Sequence, residues 1–571
     1  MSVSPDPVRP RPVTTGWAGR LPQAWAALLP LLLLGPALGR GYVLSYDMVW
    51  VPDLALRSDF LGLGSALPRA VPSDAVVAVL DEVLPGMLLQ KLVLYGALLL
   101  AGLGYARLVE GPTVTRLAAV SLAIWNPFVV ERLGIGHWPV LLGYAVVPWL
   151  VLAGRRIREE GTVTTSVWFL MPLGSLSASA GVVSAAVLLV CGLTRVRRTW
   201  VSLVALSLAV NAPWLVAGLR HTAIASGAGG YEEFALHGEG GLPAPLAALG
   251  LGGIWNAEVV PDSRGAALGW VSLLLLAGLA ALGARSWYRR RRDSEATRLV
   301  ALWLAGYALA LVTWASPAFV AWLGDRVPGA ALLRDGTRTL ALCAPLVIGL
   351  VSSGVTVLWE RAAGQAARIG LGLACVLLPV AVMTDAAWGL GGQLRPADYP
   401  GSWSAARRAM PQEAGDLVAL PFTSYRAPVW NGGRKVLDPL GRYLVPNYVV
   451  NDELGVSGRP VTGEDPRVPE VEAALGRATP AARATALADL GIRWVARERD
   501  APGAGDPAYD AEVAGTVVYD DTLLQVVRIE ADPRSTETST WSRAVLALAW
   551  ATLLGVLLIG VLRLFRNAVS R

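Results

Sequence analysis

Residues 22–53 read PQAWAALLPLLLLGPALGRGYVLSYDMVWVPD. An almost unbroken apolar run is followed by a loop carrying two aspartates, Asp47 and Asp53, set among Tyr42, Tyr46, Trp50 and Pro52. The run is long enough to cross a bilayer as a helix. It is preceded by a polar, Pro-rich leader with Arg9, Arg11 and Arg20, so it reads as an uncleaved first span and not as a signal peptide. Working outward, nine further apolar stretches follow, near 88–106, 117–133, 138–153, 199–219, 266–284, 297–315, 337–358, 368–387 and 543–563. Arginines punctuate them: Arg107/Arg116, Arg155/Arg156/Arg158, Arg195/Arg197/Arg198, Arg285 with Arg289 to Arg292, Arg361/Arg368 and Arg563/Arg566/Arg571. Basic residues beside span ends stay cytoplasmic. Both termini are therefore expected inside the plasma membrane, and the loop at 41–87, the loop at 220–265 and the polar segment 388–542 outside it.

The whole composition agrees. The 571 residues are 54% hydrophobic with a mean hydropathy of +0.49, which describes a polytopic membrane protein and not a soluble enzyme. The formal charge of +6 comes from arginine, since only Lys91 and Lys435 are lysines. It reads as a topology determinant that also meets anionic headgroups. A nucleic-acid surface would gather on one soluble domain, whereas segment 388–542 mixes both signs. Cys191, Cys343 and Cys375 all sit in apolar stretches, so no disulfide framework or zinc spacing is implied.

One stretch departs from simple alternation. Residues 165–193 are apolar but basic at both ends, and the middle, Gly174-Ser175-Leu176-Ser177-Ala178-Ser179-Ala180-Gly181, is small and polar. A re-entrant pair of short helices or one long helix would satisfy it, the former only where protein or a water-filled cavity covers the broken backbone. The expected organisation is a cytoplasmic tail (1–21), a membrane bundle (22–387), an extracytoplasmic domain (388–542) and a final span with its tail (543–571). Strand-like runs at Leu417–Leu420, Ile492–Val495 and Leu523–Ile529, with helical spacing over 468–490, predict a small α/β domain.

A carboxylate in an aromatic-rich loop at the membrane exit draws attention, because partial desolvation raises its pKa toward values useful for a general base. Two other stretches stand out. These are Trp125-Asn126-Pro127-Phe128-Val129-Val130-Glu131-Arg132 continuing to Gly136-His137-Trp138, and Leu333-Arg334-Asp335-Gly336-Thr337-Arg338. With the early aspartate and the C-terminal outer domain, they resemble actinobacterial GT-C glycosyltransferases, membrane enzymes using polyprenyl-phosphate sugars. Leu437-Asp438-Pro439-Leu440-Gly441-Arg442-Tyr443 is also similar to segments of that superfamily and of YfhO-like membrane proteins. The resemblance implies an α-helical polytopic fold of about 10–12 spans. It implies transfer of a hexosyl or pentosyl group from a polyprenyl-phosphate donor to a cell-envelope glycan or glycolipid acceptor.

By the same resemblance an aspartate of the first outer loop is the base. Asp47 matches best by position and Asp53 second. The adjacent Asp81 and Glu82 form a third candidate, more simply read as helix N-terminal charge. The departing phosphate calls for cations. Arg132 and His137 lie on one short turn, Lys91 opens the second span, and Arg334 and Arg338 lead into a later one. Each also has a plainer reading as a headgroup anchor, a snorkelling chain or a surface pair. His221, Tyr231 and His237 lie in a Gly-rich loop that folds over substrate or serves as a linker. No metal is demanded, although Asp47 with Asp53 could hold a divalent cation as hard oxygen ligands. Two alternatives share this layout: a catalytically silent scaffold and a lipid-linked glycan transporter. A transporter would carry ionisable groups within its spans, and here the spans are nearly free of them.

Overall fold

The computed structural model describes residues 19–64, 68–221, 229–291, 293–456, 459–461, 463, 465–499, 501, 511–534 and 538–569. Most of the expected N-terminal tail therefore lies outside the described residues. Among those described, eight helices are long and apolar enough to span a membrane. Two helix pairs, Gly336–Leu342 with Ala344–Arg361 and Gln365–Ala381 with Thr384–Leu390, are bent by 50° and 67°; with each pair counted as one span the number is ten. These ten fall on the ten predicted stretches.

Burial sorts the spans into an inner and an outer set. Thr113–Gly134 and Trp138–Glu160 are each 78% buried, against 22% for Ala267–Arg290. A span shielded by neighbours on every side can carry polar side chains that lipid would penalise, so the turn joining the two inner spans is where a polar site is tolerated. The 165–193 stretch forms two helices, Val167–Leu173 and Ala178–Gly192. The Ser177 side chain caps the second one by accepting from the amide of Ala180, and Ser184 Oγ donates to the free carbonyl of Gly174 at 2.8 Å. Gly143 and Gly154 let the inner span Trp138–Glu160 approach it closely: a Cβ on either would lie 2.7 Å or less from an atom of Ala180 or Cys191. Small residues permit such backbone contact in membranes, and this contact covers the break.

The polar segment forms an α/β domain on a five-stranded sheet, ordered Thr516–Asp520, Leu524–Arg528, Ile492–Glu498, Asp416–Leu420, Tyr448–Val449. The first two pairings are antiparallel and the last two parallel. Side chains alternate across the sheet with the two-residue period of a strand, except at Arg493, where a register shift against Asp416 and Leu417 puts Ile492 and Trp494 on opposite faces. Val418, Leu420, Ile492 and Val495 face a core with the helices Val468–Leu475 and Pro480–Asp489. Leu417, Ala419, Trp494 and Ala496 face the other way, in one core with Trp403 of helix Gly401–Ala409.

This domain is fastened to the loop at 41–87. Tyr42–Val43 pairs with Pro396–Ala397 as a short antiparallel ladder. Arg57 donates to the carbonyls of Arg442, Leu444 and Val445, while Arg442 makes a two-pronged ion pair with the buried Asp74. The Leu437–Tyr443 motif is thus part of the clasp: Asp438 accepts from the amide of Leu440 and from Arg426 at 2.9 Å each.

Candidate active site

The site is assembled from four pieces of chain. Asn126 caps the short helix Pro127–Gly134, accepting from the amide of Val129 at 3.1 Å, with Pro127 in the first turn. Asn at the cap and Pro at the first position are favoured by the unpaired amides there. The helix ends at Gly134, with Arg132 in its last turn, and His137 follows before the next span begins at Trp138. Gly136 has φ +86°, and a Cβ there would lie 2.2 Å from the amide nitrogen of Met48. Only glycine lets the turn press against the first loop. That contact places Asp47: its amide donates to the carbonyl of Ile135 at 3.0 Å, and Ser45 Oγ donates to that of Gly134 at 2.7 Å.

A chain of polar contacts runs inward from there. Asp47 Oδ2 is 3.0 Å from His137 Nε2, and His137 Nδ1 is 2.9 Å from Arg132 Nη1. Arg132 in turn donates to Asp335 Oδ2 at 3.0 Å and to Thr337. A guanidinium can only donate, so Nδ1 is the acceptor and the imidazole is the neutral Nε2–H tautomer, donating to Asp47. Electrostatics agrees. Burial lowers the His137 pKa, and the charges of Arg338 and Arg132 add to this against the raising effect of Asp47. Asp335 is the negative charge at the inner end of these contacts, as Asp47 is at the outer end. Burial alone would raise its pKa, but Arg132 and Arg338 hold it far below the usual carboxylate range. The motif Leu333–Arg338 works through its turn spacing, since Arg338 Nε returns to Asp335 Oδ2 at 2.8 Å.

The fourth piece comes from the α/β domain. Tyr425 pairs, one residue before the buried Arg426, with the strand Val436–Leu437, and its hydroxyl donates to Asp47 Oδ1 at 2.5 Å. Burial and the Asp47 charge push the Tyr425 phenol well above its ordinary range, so it stays a donor. The hairpin reaches the loop through main-chain bonds, from the amide of Tyr46 to the carbonyl of Lys435 at 2.9 Å and from that of Leu437 to the carbonyl of Tyr46 at 2.8 Å. Tyr46 itself is left-handed, with φ +46°, a strained conformation for a non-glycine residue. Its hydroxyl donates to Glu258, which also accepts from Lys435 at 2.9 Å. Asp47 therefore sits between the membrane bundle and the domain with 38% of its side chain open to solvent. Burial would raise its pKa, but the bonds from His137 and Tyr425 and the charge of Arg338 win and lower it. This reverses the sequence expectation of a raised value, because loop composition does not reveal donors that arrive from distant chain.

The other expected residues lie elsewhere. Asp53 pairs with Arg407 of the domain at 2.7 Å. Arg132 is 1% exposed, and its two terminal nitrogens are engaged by His137, Asp335 and Thr337, which fits a positioning group for His137. Lys91 lies in the span Gly86–Leu108 and donates to Gln90 at 3.3 Å. Arg334 turns to the carbonyl of Gly229 and over the ring of Phe234. Arg338 is the phosphate candidate left beside Asp47, one-third open and using Nε for Asp335. His221 has both ring nitrogens on carbonyls, of Ala217 and Gly64. His237 lies near the carbonyl of Ala235 at 2.9 Å, and Tyr231 is buried with its hydroxyl directed at Gly324. The described part of the 220–265 loop is tied down by the buried ion pair of Arg264 with Glu239 at 2.7 Å. Asp47 and Asp53 are held by different partners, and among the described residues no three His, Cys, Asp or Glu side chains gather as a metal ligand set. Tyr425 and Glu258 carry no sequence signal, because their roles arise from contacts across 200 to 400 residues of chain; Thr337 stands in the Leu333–Arg338 motif, but its bond with Arg132 does not follow from that spacing.

No protein-family model and no curated protein matches this chain. Among solved structures, it is similar to mycobacterial arabinofuranosyltransferase AftD, with TM-score 0.53 at 17% identity over 91% of this chain. A mutant of the same enzyme gives 0.49 at 17% identity over 90% of the chain. The chain spans 40% of the length of the first and 42% of the second. At that identity the likeness speaks for the fold alone: over most of its length this chain shares the fold of part of that arabinofuranosyltransferase.

Proposed function

We propose that this protein is a membrane glycosyltransferase of cell-envelope synthesis, acting outside the cytoplasmic membrane on a polyprenyl-phosphate sugar and a glycan or glycolipid acceptor. The observation that carries the reading is Asp47: an ionised carboxylate, part open, gripped by His137 on one side and Tyr425 on the other. The acceptor hydroxyl gives its proton to Asp47 while its oxygen forms the new bond to the anomeric carbon. The bond from that carbon to the phosphate oxygen breaks on the opposite face, and the polyprenyl phosphate leaves with the electron pair. Arg338 supplies the cation for the charge that grows on the phosphate. A carboxylate with a depressed pKa is a weak base. It takes the proton only as the forming bond makes the hydroxyl acidic, which suits a transition state with advanced bond formation. Nothing in this sequence of events calls for a metal ion.

The test is Asp47→Asn, which keeps the size of the side chain. Turnover of a polyprenyl-phosphate sugar by the purified variant should fall by about 10²–10⁴-fold, the usual worth of a positioned base, with thermal unfolding unchanged. A variant that restores the glycan profile of a deletion strain would instead support the silent scaffold. Accumulation of donor lipid on the inner leaflet of that strain would support the transporter.

A further inference from the structure

A second polar site lies at the seam between loop and domain. A cleft of about 760 Å³ opens where Asp53 meets helix Gly401–Ala409 and the segment after it, within the size range of small-molecule sites. We infer that this cleft binds the acceptor as a neutral, hydroxyl-rich oligosaccharide; this rests on the glycosyltransferase reading above and names its substrate class. Its charges balance: Arg407 and Arg408 against Asp53 and Glu413. Asp53 takes Arg407 at 2.7 Å and Glu413 takes Arg528 at 3.0 Å. A phosphate site would carry an excess of cations, whereas two lining arginines against two lining carboxylates, with Gln412 and Ser404, offer donors and acceptors to hydroxyls without net charge along the wall. Pro52, Pro411 and Pro446 supply rigid apolar wall for the C–H faces of sugar rings, and walls already fixed reduce the ordering cost of binding.

The position suits an acceptor. Arg407 holds the main-chain carbonyls of both Asp53 and Tyr443, joining loop to domain at the cleft. Asp53 follows Asp47 by six residues on one loop, so the two are at most about 20 Å apart along the chain, a reach that a short oligosaccharide covers. The cleft would hold the body of the acceptor while its end hydroxyl meets Asp47.

The experiment uses the full chain in detergent, with a panel of neutral furanose and pyranose trisaccharides and inorganic phosphate as probes in titration calorimetry. At least one saccharide should bind and phosphate should not compete with it. Ser404→Trp, which fills the cleft, and Arg408→Ala should each weaken saccharide binding about tenfold or more and raise the acceptor KM in parallel while the donor KM stays put. Should Ser404→Trp misfold, Arg408→Ala and Gln412→Ala, both at exposed side chains, carry the test. No saccharide bound by the wild type, or equal binding and equal acceptor KM in the variants, overturns the inference. So does competition by phosphate that Arg408→Ala abolishes. Asp47→Asn separates the two readings: it should bind saccharide as the wild type does, and an active Asp47→Asn would sink the catalytic assignment while leaving the binding result to stand alone.

Discussion

Asp47 is a carboxylate whose two oxygens are claimed by donors of different origin, His137 from the bundle and Tyr425 from the domain. Both bonds favour the ionised form. Tyr425→Phe removes one of them and should move the acid limb of the rate profile to higher pH, read from kcat/KM against pH; an unmoved limb would show that the phenol does not act on the base. His137 gives a second pH signature. Its native pKa lies below the ordinary value near 6.5, so the unfolded chain takes up the proton first. Stability contributed by the neutral ring is therefore complete above about pH 6.5 and is lost as pH falls toward the native pKa. Unfolding midpoints between about pH 7 and about pH 5 should drop less for His137→Gln than for the wild type. Deeper in, Asp335 offsets the buried guanidinium of Arg132. Asp335→Ala strands that charge and should cost about 3–5 kcal/mol, measured by thermal or denaturant unfolding in detergent.

At the level of elements, the site depends on how closely the turn after Pro127–Gly134 meets the first loop. Gly136 is the narrowest point. An alanine there combines a left-handed φ with a Cβ placed against the Met48 amide and the Ser45 carbonyl. Gly136→Ala should push the loop off the turn and reduce turnover far more than its change in hydrophobicity suggests, with Asp47 chemistry lost although Asp47 is present. Wild-type activity in that variant would mean that the contact is not needed. The same economy of contact recurs at Gly143 and Gly154, where the helix pair at 167–192 lies against an inner span.

For the molecule as a whole, the α/β domain completes the site and is not an appendage. The Arg57 carbonyl cradle and the Arg442–Asp74 pair hold it to the loop, and this places Tyr425 on Asp47. Arg442→Ala leaves a buried carboxylate alone and should cost about 3–5 kcal/mol. Limited proteolysis should then cut the loop and domain faster, and activity should fall although no residue of the reacting centre has changed. Equal protease resistance would place the strength of the seam elsewhere.

Sequence alone determined the spans, because bilayer thickness and the cost of burying charge write themselves into run length and arginine placement. It also marked Asp47, Arg132, His137 and Arg338 as candidates, the aspartate through a family resemblance carried by short motifs and the cations through the charge a departing phosphate would need met. Tertiary structure decided everything that depends on which distant groups meet. It sent Asp53 to Arg407 and Arg334 to Gly229, and it buried Arg132 as a positioning group. It also supplied Tyr425 from 378 residues away. A pKa and a hydrogen bond are properties of neighbours in space, and local spacing carries no record of them.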